Sequence, residues 1–255
     1  IGLLGLAAGQ AFAVCAMAQS VNIDIDRNTG SGSGVPSNGF GAAAGQPGIW
    51  NSVPTSDSNG LVLVGLNGAP NGLTISTDLA GGASSTSGSA SADWGKLMWD
   101  YADQCCFFQS TQNLTISGLN EGNYWLYVYA ALPGSAGNFN TLSGIDYYGT
   151  VISAYFDENP DIFLGGGSTS GIVTPNAFVS GVHFYRLPIT VDAGQAPLFL
   201  SIGGQYTDSD FNVKSAINGL QLKQFTSNRL YVDINAAGSN TGESWSNAMT
   251  SLVEA

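Results

Sequence analysis

The stretch LTISGLNEGNYWLYVYA, from Leu114 to Ala130, constrains the fold more than any other part of the chain. Apolar and polar or small residues alternate with the two-residue period of an extended strand, once before and once after a turn rich in Asn and Gly. A helix would scatter those apolar positions around its axis. The stretch therefore predicts two strands, Leu114–Leu119 and Tyr124–Leu132, paired through Asn120–Asn123. The same grammar recurs along the chain. Val21–Asp26, Leu61–Leu66, Leu73–Leu79, Thr150–Phe156, Ile172–Val173, His183–Val191, Pro197–Ile202 and Ser215–Phe225 read as further strands. Asn67-Gly68-Ala69-Pro70-Asn71-Gly72 is a strong turn signal between the second and third of these. Asn28–Gly48 and Gly81–Ala92 are Gly/Ser/Ala-rich loops, and Trp94–Asp103 is the one short helix, with Leu97, Met98 and Tyr101 at helical spacing. The expected class is all-β, an antiparallel jelly-roll sandwich with Gly/Ser-rich loops and one short helix.

Composition narrows the partners. Only 9% of the 255 residues are charged, and six Lys+Arg against 18 Asp+Glu leave a net charge of −12. So few cations give phosphate backbones, anionic glycans and anionic lipid surfaces little to hold, which argues against nucleic acid as a partner. Neutral polymers and cations such as calcium remain, beside the plainer role of an acidic surface in solubility.

Residues 1–18, IGLLGLAAGQAFAVCAMA, are apolar and end in Ala16-Met17-Ala18, the small-x-small pattern of a signal-peptide cleavage site. Their small residues and central Gln10 favour export, with maturation near Gln19, over a membrane anchor. The expected location is secreted or cell-surface, with no membrane insertion after cleavage. Export leaves Cys105 and Cys106, adjacent in sequence. A vicinal disulfide and two reduced, buried thiols weigh equally.

Catalysis has little to stand on. The single histidine, His183, lies in an apparent strand between apolar neighbours, a setting that suits packing. GxSxG, P-loop and HExxH motifs are missing. Asp157, Glu158 and Asp161 fall in a turn beside Pro160 and read as a solvated loop.

Binding has a better case. Alternation in Tyr124–Leu132 puts Tyr124, Leu126, Val128 and Ala130 toward the core and Trp125, Tyr127 and Tyr129 on the opposite face. Three flat rings on one outer face form a platform for neutral sugars if open, or a second small core if the Trp94–Asp103 segment covers them. An open face favours binding and a packed one favours a scaffold. Trp50, Trp94, Tyr147 and Tyr148, in predicted loops or the helix, are alternative contacts. Asp24, Asp26 and Asn28, and again Asp208, Asp210 and Asn212, set oxygen ligands at alternate positions, as calcium loops do. Turn-forming Asp and Asn explain the same pattern.

LTISGLNEGNYWLYVYA and SAINGLQLKQF resemble the central and closing strands of galactose-binding-like jelly-roll domains, a family that includes carbohydrate-binding and malectin-like modules. VNIDI followed by a Gly-rich loop is similar to their first strand. The resemblance spans residues 19–226 and implies a bacterial secreted, non-catalytic module for a neutral polysaccharide or surface glycan, with a structural calcium ion in some members. It requires no other cofactor. A structural or adhesive surface protein that contacts other copies suits the same composition. Residues 227–255 resemble the start of a right-handed parallel β-helix domain: Tyr231-Val232-Asp233, the loop Asn240–Trp245, then a helix from Asn247. A lyase or hydrolase with its active site in such coils is the third reading. A cap on its own is expected to be loosely held.

Overall fold

A computed structural model describes residues 19–26, 34–79, 92–99, 102–105, 111–129, 150–155, 162–165, 178, 180, 183–194, 197–204, 214–225, 231–235, 237 and 248–250. Its strands in chain order are β1 (Val21–Asp26), β2 (Trp50–Pro54), β3 (Ser58–Val64) and β4 (Pro70–Asp78). After the helix α1 (Asp93–Trp99) come β5 (Ala102–Cys105), β6 (Thr111–Ser117), β7 (Gly122–Tyr129), β8 (Thr150–Tyr155) and β9 (Ile162–Gly165). The last four are β10 (Phe184–Val191), β11 (Leu198–Gly204), β12 (Lys214–Ile217) and β13 (Gly219–Phe225). No helix among the described residues is long and apolar enough to cross a membrane.

The chain is an all-β sandwich, as the period-two pattern predicts. One sheet runs β10-β7-β13-β1-β2 and the other β3-β4-β6-β11-β8-β9, while β12 and β5 form a separate pair. Pairing is antiparallel except between β1 and β2. Pro188 sits in β10, an edge strand, the kind of strand in which proline is tolerated.

Between the sheets lies one continuous core. Ile23, Ile25, Tyr124, Leu126, Leu187, Leu220 and Leu222 come from the first sheet and Leu63, Leu73, Ile75, Leu114, Ile116 and Leu200 from the second. These are the alternate positions of each strand, so the inward set follows directly from the sequence pattern.

The expected pairing of the two central strands is not what forms. β6 pairs with β4 and β11, and β7 pairs with β10 and β13 in the opposite sheet. The link between them is an arch across the core. Leu114 and Ile116 thus meet Tyr124, Leu126 and Val128 face to face across the sandwich. Alternation is identical in a hairpin and in an arch, so it does not name the partner strand. At the start of the arch Gly118 has φ +87°, and a Cβ there would lie 2.3 Å from the Gly72 carbonyl oxygen. Only glycine is accommodated.

Three further elements depart from the expectation. Trp50, expected in a loop, instead opens β2 and pairs with Asn22 of β1. The segment read as a single helix over Trp94–Asp103 splits into α1 and β5. The run Ser215–Phe225 divides at Asn218 into β12 and β13. Ile172–Val173 lies outside the described residues.

Candidate functional site

The outer face of β7 is the candidate site, and it is built as the alternation predicts. Trp125, Tyr127 and Tyr129 all point away from the inter-sheet core. The face is nevertheless closed. Trp125 and Tyr129 are 0% exposed and Tyr127 is 2% exposed. Together with Phe184 they form a second core, sealed by Ala44, Trp50, Leu97, Met98 and Met249. Phe40, Phe178, Phe225 and Val232 pack around its border. The open sugar platform is therefore absent, because enough apolar surface from distant segments converges here to cover the rings.

The ring geometry is that of a packed interior. Phe225 stacks on Trp125 with centroids 5.7 Å apart and planes inclined by 24°. Phe178 meets Tyr129 edge-on at 5.5 Å, and Phe184 lies 5.7 Å from Tyr127. The Arg186 guanidinium carbon sits 4.6 Å from the Trp125 ring centroid, a cation–π contact from the neighbouring strand.

A buried polar lattice holds the cover in place. The amide of Gln221, on the outer face of β13, binds four groups. Its Oε1 accepts the Tyr129 hydroxyl and the Ala44 N–H, while its Nε2 donates to Asn22 Oδ1 at 2.8 Å and the Gly41 carbonyl at 3.1 Å. The Tyr129 oxygen in turn accepts the Ala43 N–H at 2.8 Å. Gln46 donates to Asn22 Oδ1 at 2.8 Å, and Asn22 donates to the Gln46 carbonyl at 3.0 Å. Residues 41–46 are thus fastened to β1, β7 and β13 by bonds that are buried or partly buried, where leaving a donor unmet is costly. Burial pushes the Tyr129 hydroxyl well above its usual pKa, which suits a structural donor and not a base.

The other sequence candidates disperse. Trp50 is no loop contact: it is 3% exposed and donates its indole N–H to the Phe40 carbonyl at 3.1 Å. Trp94 is half-buried at the border of the second core, on the helix that the cover grips. There Ser37 donates its N–H to Asp93 at 2.8 Å, and Lys96 reaches the Val35 carbonyl at 3.3 Å. Tyr147 and Tyr148 lie outside the described residues.

Asp24 and Asp26 stand on β1, not on a calcium loop. Asp24 is fully buried opposite Gly219. Asp26 accepts the Ser52 hydroxyl at 3.1 Å and the Gly34 N–H at 3.3 Å. Among the described residues no group of three His, Cys, Asp or Glu side chains comes together to hold a metal. Asn28, Asp208, Asp210 and Asn212 lie outside them, as do Asp157, Glu158, Asp161 and Cys106; Cys105 closes β5 opposite Lys214. His183 is buried and meets Phe178 edge-on at 6.4 Å, as a packed histidine should.

Two features were not foreseen. Asn218-Gly219, noted only as a motif, is the seat of α1. Asn218 donates its side-chain amide to the Met98 carbonyl at 3.0 Å, and a Cβ on Gly219 would come within 2.7 Å of Leu97 Cδ1. The tail is also seated. Met249 donates its N–H to the Tyr231 carbonyl and accepts the Asp233 N–H, both at 2.8 Å, bridging Val232. Ala248 and Met249 are fully buried, the latter in the second core. The Met249 side chain fills space over the aromatic face, so these residues are anchored by the sandwich, and Met249 forms a bridge where a helix was expected; Asn247, residues 240–245 and residues 251–255 lie outside the described residues. The signal that could have found it is the apolar pair Ala248-Met249 between Asn247 and Thr250.

A scan of protein-family models and a search of curated proteins return no match. Among solved structures, that of TmCBM61 in complex with beta-1,4-galactotriose aligns over 59% of this chain and 82% of that one, at 10% sequence identity and a TM-score of 0.30. A likeness at that level assigns no ligand to this chain.

Proposed function

We propose that the sandwich serves as a non-catalytic structural module of an exported surface protein, whose outer aromatic face is an internal joint that seats the segment after it. The observation that carries this reading is the place of Met249, fully buried in the same cluster as Trp125, Tyr127 and Tyr129. A face used this way is unavailable to a sugar, and its energy goes into fixing the following segment to the sheet. The test is a pull-down of the full chain on neutral polysaccharides, galactan included, beside limited proteolysis. Protection of residues 231–250 without retention on any polymer supports the joint. Retention that disappears with Trp125→Ala in a still-folded protein overturns it.

Glycan recognition keeps one foothold as a second reading, the half-buried Trp94 at the border of the closed face. A partly exposed indole on a fixed helix is suited to stack on a neutral sugar ring. Loss of polysaccharide retention in Trp94→Ala, at unchanged melting temperature, selects this reading over the first.

A further inference from the structure

Gln19 occupies an unusual position for a residue at the edge of the fold. It is buried, and every polar atom of its side chain is engaged. Its Nε2 donates to the Asn71 carbonyl at 3.0 Å and to the Gly118 carbonyl at 2.8 Å. Its Oε1 accepts the Asn120 N–H and lies 3.2 Å from the Tyr124 hydroxyl oxygen, whose one proton it shares with the Asn120 carbonyl at 2.9 Å. Its backbone N donates to Gln224 Oε1 at 2.7 Å. One side-chain amide therefore ties the start of β1 to the β4 end and to the arch between β6 and β7, and the backbone nitrogen of the same residue ties it to β13.

Gln19 is also the residue that follows Ala16-Met17-Ala18. A glutamine freed at a chain's N-terminus is chemically unstable. Its α-amino nitrogen attacks its own Cδ, the N–Cδ bond forms, the Cδ–Nε2 bond breaks, and Nε2 departs with a proton from the amine as ammonia. The product is a pyroglutamyl lactam.

We propose that cleavage after Ala18 makes Gln19 the mature N-terminus, and that the fold then holds this glutamine in its open, uncyclised form. The proposal rests on the signal-peptide reading for its first half and on the hydrogen bonds of Gln19 for its second. Cyclisation would remove Nε2, itself on a buried side chain, and break its bonds to the Asn71 and Gly118 carbonyls, which are only partly shielded from water. It would also pull Oε1 from Asn120 and Tyr124, since the ring demands that the side chain fold back on its own nitrogen. Opposing bonds of this kind slow the native reaction on the order of ten- to a hundredfold relative to the unfolded chain.

The chain is expressed in an exporting host with residues 1–18 behind a Met-Lys-Lys start, which supplies the basic region an export signal needs, and the product is weighed intact and by its N-terminal peptide. It is then incubated at neutral pH, native and in denaturant. The expected result is a chain that begins at Gln19 and retains its ammonia while native, but loses it in denaturant. Gln224→Ala, which removes the acceptor of the Gln19 nitrogen, should cyclise faster when native and at the parent rate in denaturant. A product that begins elsewhere or keeps residues 1–18 overturns the cleavage half. Equal cyclisation rates in native and unfolded protein overturn the protection half.

Discussion

The Tyr129 hydroxyl donates to the side-chain carbonyl of Gln221 on the adjacent strand, under residues 41–46, in a space that water does not reach. That bond joins the aromatic face to the polar lattice that covers it. Tyr129→Phe leaves the Ala43 N–H without its acceptor and Gln221 without one of its two donors. Urea denaturation should register a loss of about 1–3 kcal/mol with an unchanged m-value. A loss within error would show that the lattice does not hold the cover.

Trp125→Ala and Tyr127→Ala test whether the outer face is a core. Each should cost about 3–5 kcal/mol, the range for emptying a large buried aromatic site. Near-surface rings would cost far less, so melting curves that barely move would restore the open platform.

Met249→Asp places a carboxylate among aromatic rings. The tail should leave the face, and trypsin-independent proteases such as thermolysin should cut within residues 231–250 while residues 19–225 persist. Exposure of the apolar face should raise the binding of a hydrophobic dye. Uniform resistance to cleavage in this variant would show that Met249 does not secure the tail.

Alkaline pH probes the buried hydroxyl of Tyr124. Burial raises the Tyr124 hydroxyl from 10.0 to about 12. The folded state thus keeps a proton that the unfolded chain releases above about pH 10, so this share of stability is complete below about pH 10 and lost between there and about 12. Tyr124→Phe should start less stable at neutral pH, having lost the bond to the Asn120 carbonyl, yet decline less steeply from pH 10 upward. Parallel stability–pH curves for parent and variant would refute the assignment.

Gly219→Ala should push Leu97 and its helix off β13, because the new methyl would lie 2.5 Å from the Ile23 carbonyl oxygen and 2.7 Å from Leu97 Cδ1. A loss of roughly 1–3 kcal/mol is expected from such overpacking. Pairing it with Leu97→Ala separates backbone from side-chain crowding. If the second change restores none of the loss, the clash is with the backbone alone.

Much of this was legible in the chain, and for a definite reason. Side chains alternate across a strand whatever surrounds it, so Tyr124, Leu126 and Val128 could be assigned inward and Trp125, Tyr127 and Tyr129 outward from order alone. The turn at Asn67-Gly68 likewise announces the β3–β4 hairpin, where Gly65 and Ala69 close the loop at 2.8 Å. The same reading could not tell a hairpin from an arch after Ser117, since both use identical alternation and a Gly-rich link. Nor could it find β2: Trp50 becomes a strand residue only because β1 offers a free edge for parallel pairing.

The sequence by itself determined that this protein is all-β and which side of β7 carries its aromatic rings, because both are set by neighbours two residues apart. Only the tertiary structure decided that those rings are interior. Phe40 and Trp50 arrive from one end of the chain and Met249 from the other, and whether their apolar surfaces converge depends on contacts spanning most of its length. Alternation records that a face differs from its opposite; it does not record what comes to lie upon it.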